Sequence, residues 1–170
     1  FGSIIINSEK VNKFPIYIVR PATVCGYSKR MRLDLTVNML TMQALKNNII
    51  TVFGGKQIRP NIHVNDLVSV YLHMILNDVK PGTYNAGFEN LSILEIANMI
   101  STKIKSKIEI SESNDPRSYR LDSSKLTQTG FEPNFNVNYA IDELIEIYQR
   151  GNLKDDDSFY TVKWMKKNKI

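Results

Sequence analysis

The sequence predicts an α/β fold in which a parallel sheet is covered by helices. Short β-branched and apolar runs alternate, almost throughout the chain, with segments whose apolar residues recur at helical spacing. Buried strands that are separated by helices pair in parallel, because a helix provides the crossover. The 170 residues, of which 42% are hydrophobic and 23% charged, are enough to bury one sizeable core.

The predicted strands are short and apolar. They cover residues 16–20, 50–53, 62–64, 83–87 and 108–110. The first strand ends at Pro21, and Gly54-Gly55 ends the second.

The predicted helices begin and end at recognisable signals. They cover about residues 35–46, a segment from Asn65 as N-cap to near Asn77, a segment that begins after Ser92, a short stretch from 122 to 129, and a last long helix through Val137 and Tyr148. Ser92 and Glu95 have capping-box spacing, and Gly130 is placed to end the short helix.

Composition limits the function classes. A single cysteine, Cys25, cannot form an internal disulfide, and no apolar run reaches the roughly 18 residues that cross a bilayer. A cytoplasmic protein without a membrane partner is therefore expected. The net charge of +5 is scattered except at the end run of lysines, and this favours a solvated terminus over a nucleic-acid surface.

Residues 1–150 are predicted to form the folded unit, and residues 151–170 a charged C-terminal tail. Asp155, Asp156 and Asp157 lie in this tail. Adjacent carboxylates could bind a hard cation, but they lack the alternating spacing of a calcium loop, so a solvated turn is favoured and no metal site is predicted.

Few residues carry recognisable chemistry. No glycine-rich phosphate loop occurs, and the two histidines, His63 and His73, fit structural positions better than catalytic ones. Arg59 and Arg117 lie just outside the ends of predicted elements. Two guanidinium groups that converge on one pocket would make a good receptor for a diphosphate, although a lone loop arginine is more often a surface residue.

Four segments, taken in order, point to a known family. They are R-P-A-T-V-C-G at 20–26, F-G-G-K-Q-I-R-P-N-I-H-V-N-D at 53–66, T-Y-N-A-G at 83–87, and D-P-R-S-Y-R-L-D-S-S-K-L at 115–126 followed by G-F-E-P at 130–133. In this order the chain resembles the extended short-chain dehydrogenase/reductase family from about residue 16 to residue 150.

The resemblance implies the C-terminal part of a Rossmann-like parallel sheet together with the small α/β substrate-binding domain of that family. It implies an NAD(P)-dependent nucleotide-sugar epimerase or dehydratase, with NAD or NADP bound mainly by a half that is absent from this chain. The implied partner is a nucleotide-diphosphate sugar, and the parent enzyme would be a homodimer. Epimerisation, dehydration and reduction all stay open, as do the base and the sugar.

By the same resemblance, Arg59 and Arg117 match positions that grip the diphosphate of the nucleotide sugar. Asn85 and Asn90 are either polar contacts or turn residues, and turn residues are favoured.

Four further positions border the implied site. Thr23 stands where many members have a substrate-contacting asparagine, so this contact is altered. Arg30 and Arg32 would border the substrate pocket, and Pro21 would lie beside the cofactor.

The family's catalytic Tyr-x-x-x-Lys pair has no counterpart here. The opening residues are faintly similar to that segment, with Phe1 and Ile5 in place of the tyrosine and lysine, and a phenyl ring has no proton to transfer. We therefore assign no catalytic residue, and we expect the chain alone to bind nucleotide sugar poorly and to be inactive. The alternative is a non-catalytic nucleotide-sugar-binding or regulatory protein that keeps the fold. An incomplete sheet would leave an unpaired edge and apolar helix faces, so self-association is also expected.

Overall fold

The computed structural model describes residues 15–113, 115–153 and 155–169. The opening positions Phe1 and Ile5 lie outside the described residues. The strands are β1 (Tyr17–Pro21), β2 (Thr23–Cys25), β3 (Ile49–Phe53), β4 (Ile58–His63), β5 (Gly82–Ala86), β6 (Glu89–Ser92) and β7 (Lys107–Ser111). The helices are α1 (Thr36–Asn47), α2 (Val64–Leu76), α3 (Ile93–Ile104), α4 (Ser124–Thr127), α5 (Val137–Gln149) and α6 (Thr161–Lys167), with a 3₁₀ turn at Asp157–Phe159 before α6.

The α/β class and the parallel strand pairing are confirmed. β1 pairs with β5, β2 with β4, and β3 with β7, and all three pairs are parallel. The strands form three small sheets, and the third strand of the middle sheet, β6, pairs antiparallel with β4. β2 and β6 were not predicted. They have three and four residues, and such short segments show little alternation of apolar and polar side chains.

The described residues form two large apolar cores. One core joins α1, α3 and α5 around β3, and its largest fully buried side chains are Leu40, Ile50, Ile96, Ile100 and Ile141. The other joins α2 to β1 and β5, with Ile62, Val70, Tyr84, Leu126 and Phe131. This division places the ends of β1 and β2 at the boundary between the two cores.

Side-chain caps mark where α2 and α3 begin. The predicted capping box of α3 is present in full, because Ser92 Oγ accepts from the Glu95 amide and Glu95 Oε2 accepts from the Ser92 amide. The prediction that Asn65 caps α2 is wrong. His63 is the N-cap, and its Nδ1 accepts from the Asn65 amide at 3.2 Å.

The chain after Gly151 packs against the rest of the molecule. Leu153 is buried with Met31, Leu33 and Leu144 in a third apolar cluster, and Phe159 and Tyr160 pack against that cluster. Asp155, Asp156 and Asp157 are exposed, and helix α6 was not predicted. Of the helices in the described part of the chain, none has the length and apolar character needed to span a membrane.

Candidate ligand-binding site

A cleft of about 480 Å³ lies beside the carboxyl end of β1. Part of its wall comes from the loop that follows β2, residues 26–34, and Tyr119 and Leu121 contribute another part. Its lining comprises Pro21, Ala22, Thr23, Val24, Gly26, Ser28, Arg30, Met31, Arg32, Leu35, Asn38, Pro60, Val64, Tyr119 and Leu121. The cleft is therefore mixed in character, with apolar surface and two arginines.

Gly26 makes the turn that sends the chain from β2 into this wall. Its φ of +93° lies in the left-handed region, and a Cβ atom there would come within 2.4 Å of His63 Nε2. The buried side chain of Asn38 on α1 fixes the turn, because its Oδ1 accepts from the Gly26 amide at 3.1 Å and its Nδ2 donates to the Arg32 carbonyl at 3.0 Å. Asn38 thus holds the backbone at both ends of residues 26–32.

Glu143 on α5 supports the same turn from the other side. Its Oε2 accepts from the Tyr27 amide at 2.6 Å and lies 3.3 Å from His63 Nε2. Because His63 Nδ1 accepts from the Asn65 amide, the Nε2 atom carries the proton that points to Glu143. His63 is buried and stacks on Phe135 at 4.8 Å, and these contacts agree with the structural role expected for it.

Arg59 and Arg117 converge on a single carboxylate, that of Asp115. Arg59 donates to Asp115 Oδ2 at 3.2 Å, and Arg117 donates to Oδ1 at 2.7 Å and to Oδ2 at 2.8 Å. Arg59 also donates to the Arg117 carbonyl. The hydrogen bonds from Arg117 hold the pKa of the Asp115 carboxyl at about 2. Two cationic forks from distant parts of the sequence therefore face one anion.

Tyr119 connects this arginine pair to the cleft. The guanidinium carbon of Arg59 lies 5.7 Å from the centroid of the Tyr119 ring, and Tyr119 lines the cleft. The Arg59 side chain is only 13% exposed, whereas that of Arg117 is 77% exposed. Arg59 is thus held in place, and Arg117 is the member that can move.

The other predicted positions divide into two groups. Pro21, Thr23, Arg30 and Arg32 line the cleft. Arg32 also forms a two-pronged ion pair with Asp34, at 2.8 and 3.0 Å.

Asn85 and Asn90 hold a neighbouring loop. Asn85 donates to the Asp122 carbonyl at 3.0 Å, and Asn90 donates to the Leu121 carbonyl and accepts from the Leu121 amide. These bonds position Leu121 at the cleft wall.

Sequence reasoning missed Asn38, Tyr119 and Glu143. Asn38 had a signal, since it is an amide within the apolar pattern of a helix. Tyr119 is an aromatic residue two positions after Arg117 in a polar loop, which is also noticeable. Glu143 had no such signal in the sequence, because only the packing of α5 brings its side chain to the Gly26 turn.

Cys25 lies directly beneath the turn. Its thiol is buried and donates to the Ile62 carbonyl at 3.4 Å. Burial, reinforced by the nearby Glu89 and Glu143 carboxylates, raises the pKa of this thiol to about 12. The thiol is therefore protonated and acts as a small apolar group.

The residues that the structure describes do not form a glycine-rich dinucleotide phosphate site. No G-x-G-x-x-G sequence occurs, and Gly54-Gly55 follows β3 and precedes β4, a second strand rather than a helix. At the carboxyl end of β1, Pro21 lines the cleft.

Comparisons with known proteins agree with this fold. The UDP-glucuronic acid 4-epimerase of Bacillus cereus, solved with UDP-glucuronic acid and NAD, is 25% identical with a TM-score of 0.72, over 87% of this chain and 50% of that one. The dTDP-glucose 4,6-dehydratase of Bacillus anthracis, solved with NAD, is 18% identical with a TM-score of 0.73, over 95% and 51%. The anthocyanidin reductase of Arabidopsis thaliana is 26% identical over 153 residues, which are 85% of this chain and 45% of the reductase.

The chain thus spans about half the length of these proteins. A family model, that of the NAD dependent epimerase/dehydratase family, matches residues 2–87. This matched segment contains β1 to β5 and the Gly26 turn, and on that basis the chain belongs to the NAD-dependent epimerase/dehydratase family.

Proposed function

We propose that this chain is the substrate-binding part of an NAD(P)-dependent nucleotide-sugar epimerase or dehydratase. In the whole protein, a sugar carbon would give up a hydride to nicotinamide, and epimerisation, loss of water or reduction would follow. The observation that carries the proposal is the convergence of Arg59 and Arg117 on one carboxylate at the edge of the cleft.

The arrangement suits a diphosphate. The two guanidinium groups already hold two anionic oxygens at 2.7 to 3.2 Å, which is the geometry of charge-assisted hydrogen bonds. A diphosphate offers similar oxygens and more negative charge than the single carboxylate of Asp115, so it can compete for both forks. The cleft beside them, with its apolar and cationic lining, would accommodate the nucleoside or the sugar.

Binding measurements test this proposal. In calorimetric titrations we expect UDP-glucuronic acid, UDP-N-acetylglucosamine or dTDP-glucose to bind the isolated chain weakly. We expect Arg117→Ala to raise the Kd about 10- to 100-fold through the loss of a charge-assisted contact. Arg120→Ala is the matched control, since Arg120 is an exposed arginine of the same loop. An unchanged Kd for Arg117→Ala would remove Arg117 from the site.

Turnover gives a second test. We expect the isolated chain to form no product from UDP-, GDP-, CDP- or dTDP-sugars in the presence of NAD, because its 170 residues contain neither the glycine-rich loop nor a Tyr-x-x-x-Lys sequence. Measurable product would overturn the assignment of a substrate-binding part.

The missing Tyr-x-x-x-Lys sequence also favours a second candidate, a non-catalytic nucleotide-sugar-binding or regulatory protein with the same fold. The coding sequence on the 5′ side of the Phe1 codon distinguishes the two. An in-frame glycine-rich loop and Tyr-x-x-x-Lys would support the enzyme, and a start codon adjacent to Phe1 would support the binding protein.

A further inference from the structure

We propose that the C-terminal segment, residues 155–169, fixes the arginine-bearing wall of the cleft, with Trp164 as the positioning residue for Arg30. The ligand-binding part of this inference rests on the proposed function above. The structural part, that the segment holds the loop of residues 26–34, stands on the contacts alone.

The first observation is the contact between Arg30 and Trp164. The guanidinium carbon of Arg30 lies 5.3 Å from the centroid of the Trp164 ring, within the range of a cation–π interaction. Trp164 is the only tryptophan in the sequence, and it lies on α6. A residue of the C-terminal helix is thus in contact with a cationic side chain that lines the cleft.

The second observation concerns the charge of Arg30. Arg32 is paired with Asp34, and Arg59 and Arg117 share Asp115. Within residues 15–113, 115–153 and 155–169, no carboxylate lies within 4.0 Å of Arg30. Its positive charge is therefore balanced by no carboxylate, and the Trp164 ring orients it at the cleft without neutralising it.

The third observation is that the backbone of the loop is also held. The Leu33 amide donates to the Phe159 carbonyl at 2.9 Å, and the Thr161 amide donates to Asp34 Oδ2 at 3.3 Å. Below these bonds, Leu33 is fully buried in the cluster that Phe159 contacts. The loop cannot move away from α1 without breaking its contacts to the C-terminal segment.

These contacts explain why the C-terminal segment matters to binding. A long arginine side chain that is free in solvent loses rotamer freedom when it binds an anion. The Trp164 ring already restricts the Arg30 side chain and so reduces this loss of rotamer freedom. An anion that enters the cleft therefore binds a guanidinium group that is partly ordered. Removal of the ring should therefore weaken binding and loosen the loop together.

The test compares three variants of α6 in the full chain. Trp164→Leu removes the aromatic face, Trp164→Tyr keeps one, and Val162→Ala is a control at a position of the same helix that is 62% exposed. The first readout is limited trypsin digestion, whose cleavage sites in the loop follow Lys29, Arg30 and Arg32. The second is the Kd for UDP-glucuronic acid by calorimetry.

We expect Trp164→Leu to speed cleavage in the loop about fivefold and to raise the Kd about three- to tenfold. Trp164→Tyr should restore both values to within about twofold of the unmodified chain, and Val162→Ala should leave both unchanged. Equal cleavage rates for the Leu and Tyr variants would overturn the positioning role. Failure of the unmodified chain to bind any nucleotide sugar would instead count against the proposed function, and the digestion result would still decide this inference.

The same contact can be tested from the loop in case Trp164→Leu does not fold. Arg30→Met should shift the emission of Trp164, because the charge over its ring is removed, while Lys29→Met, an equal change at the exposed neighbouring position, should not. Identical emission spectra for the two methionine variants would contradict the contact.

Discussion

Asp115 accepts hydrogen bonds from both Arg117 and Arg59, and those from Arg117 lower the pKa of its carboxyl from 3.8 to about 2. Because the folded-state pKa is the lower one, the ionised carboxylate stabilises the folded chain in full above pH 3.8 and loses this effect as the pH falls to about 2. We therefore expect the difference in unfolding free energy between the natural chain and Asp115→Asn to be constant near neutral pH and to vanish across this window. Urea unfolding at a series of pH values measures it, and a difference at pH 2 as large as that at neutral pH would contradict the ion pairs.

The backbone conformation of Gly26 makes the turn that leads from β2 into the wall of the cleft. Gly26→Ala should destabilise the chain by more than about 2 kcal/mol, because strain at positive φ is combined with a clash against the His63 ring. Gly151→Ala is the matched control, since Gly151 has a φ of +73° but no atom within 4 Å of the position that an added methyl group would take, and it should cost about 1 kcal/mol. Equal shifts in the urea midpoint would show that His63 does not confine the turn.

At the scale of single elements, the capping box of α3 offers a direct measurement. Ser92→Ala removes the acceptor for the Glu95 amide and should lower the unfolding free energy by about 1 kcal/mol. Thr102→Ala, on the exposed surface of the same helix, should change it by less than about 0.5 kcal/mol. A cost at Thr102 as large as that at Ser92 would contradict the cap's contribution.

Elements with strong local signals were predictable from the sequence. The start of α3 follows from Ser92 and Glu95, whose side chains satisfy backbone groups three residues away. The start of α2 was predicted two residues too late, because the imidazole of His63 replaces the expected side chain of Asn65 as cap. Helix α6 was missed because seven residues in a lysine-rich stretch have little apolar periodicity, and packing on the loop stabilises it.

The candidate site, like the helices, was predictable from the sequence only in part. Arg59 and Arg117 were indicated by their positions outside predicted elements and by the family resemblance, and their common anion, Asp115, lies in the same motif as Arg117. The contact between Glu143 and the Tyr27 amide spans 116 positions of the chain, so no local pattern could reveal it. The contact of Trp164 with Arg30 is equally remote in sequence. The arginines proposed to bind were thus recognisable, whereas Glu143 and Trp164, which hold the loop from distant parts of the chain, were not.

On the scale of the whole molecule, one face of α2 is unusually apolar. Val68, Leu72, Ile75 and Leu76 are each at least half exposed, and Ile75 and Leu76 exceed 70%. Beside this helix, β1 pairs with β5 and with no other strand of the described residues. Exposed apolar surface next to an unpaired strand edge favours association.

We therefore expect the chain to self-associate at micromolar concentrations. Ile75→Lys should shift sedimentation velocity profiles toward the monomer, whereas Asn65→Lys, which adds the same charge at an exposed polar position of α2, should not. A chain that sediments as a monomer at high concentration would contradict this expectation.

The buried thiol of Cys25 has a practical consequence for studying the molecule. Only the thiolate reacts with alkylating reagents, and a thiol that is enclosed and has a pKa of about 12 offers almost none at neutral pH. Iodoacetamide should therefore modify the chain only while β2 is separated from β4. The rate of Cys25 alkylation therefore reports how often β2 separates from β4. A ligand that slows alkylation can be recognised without any knowledge of the reaction that it undergoes.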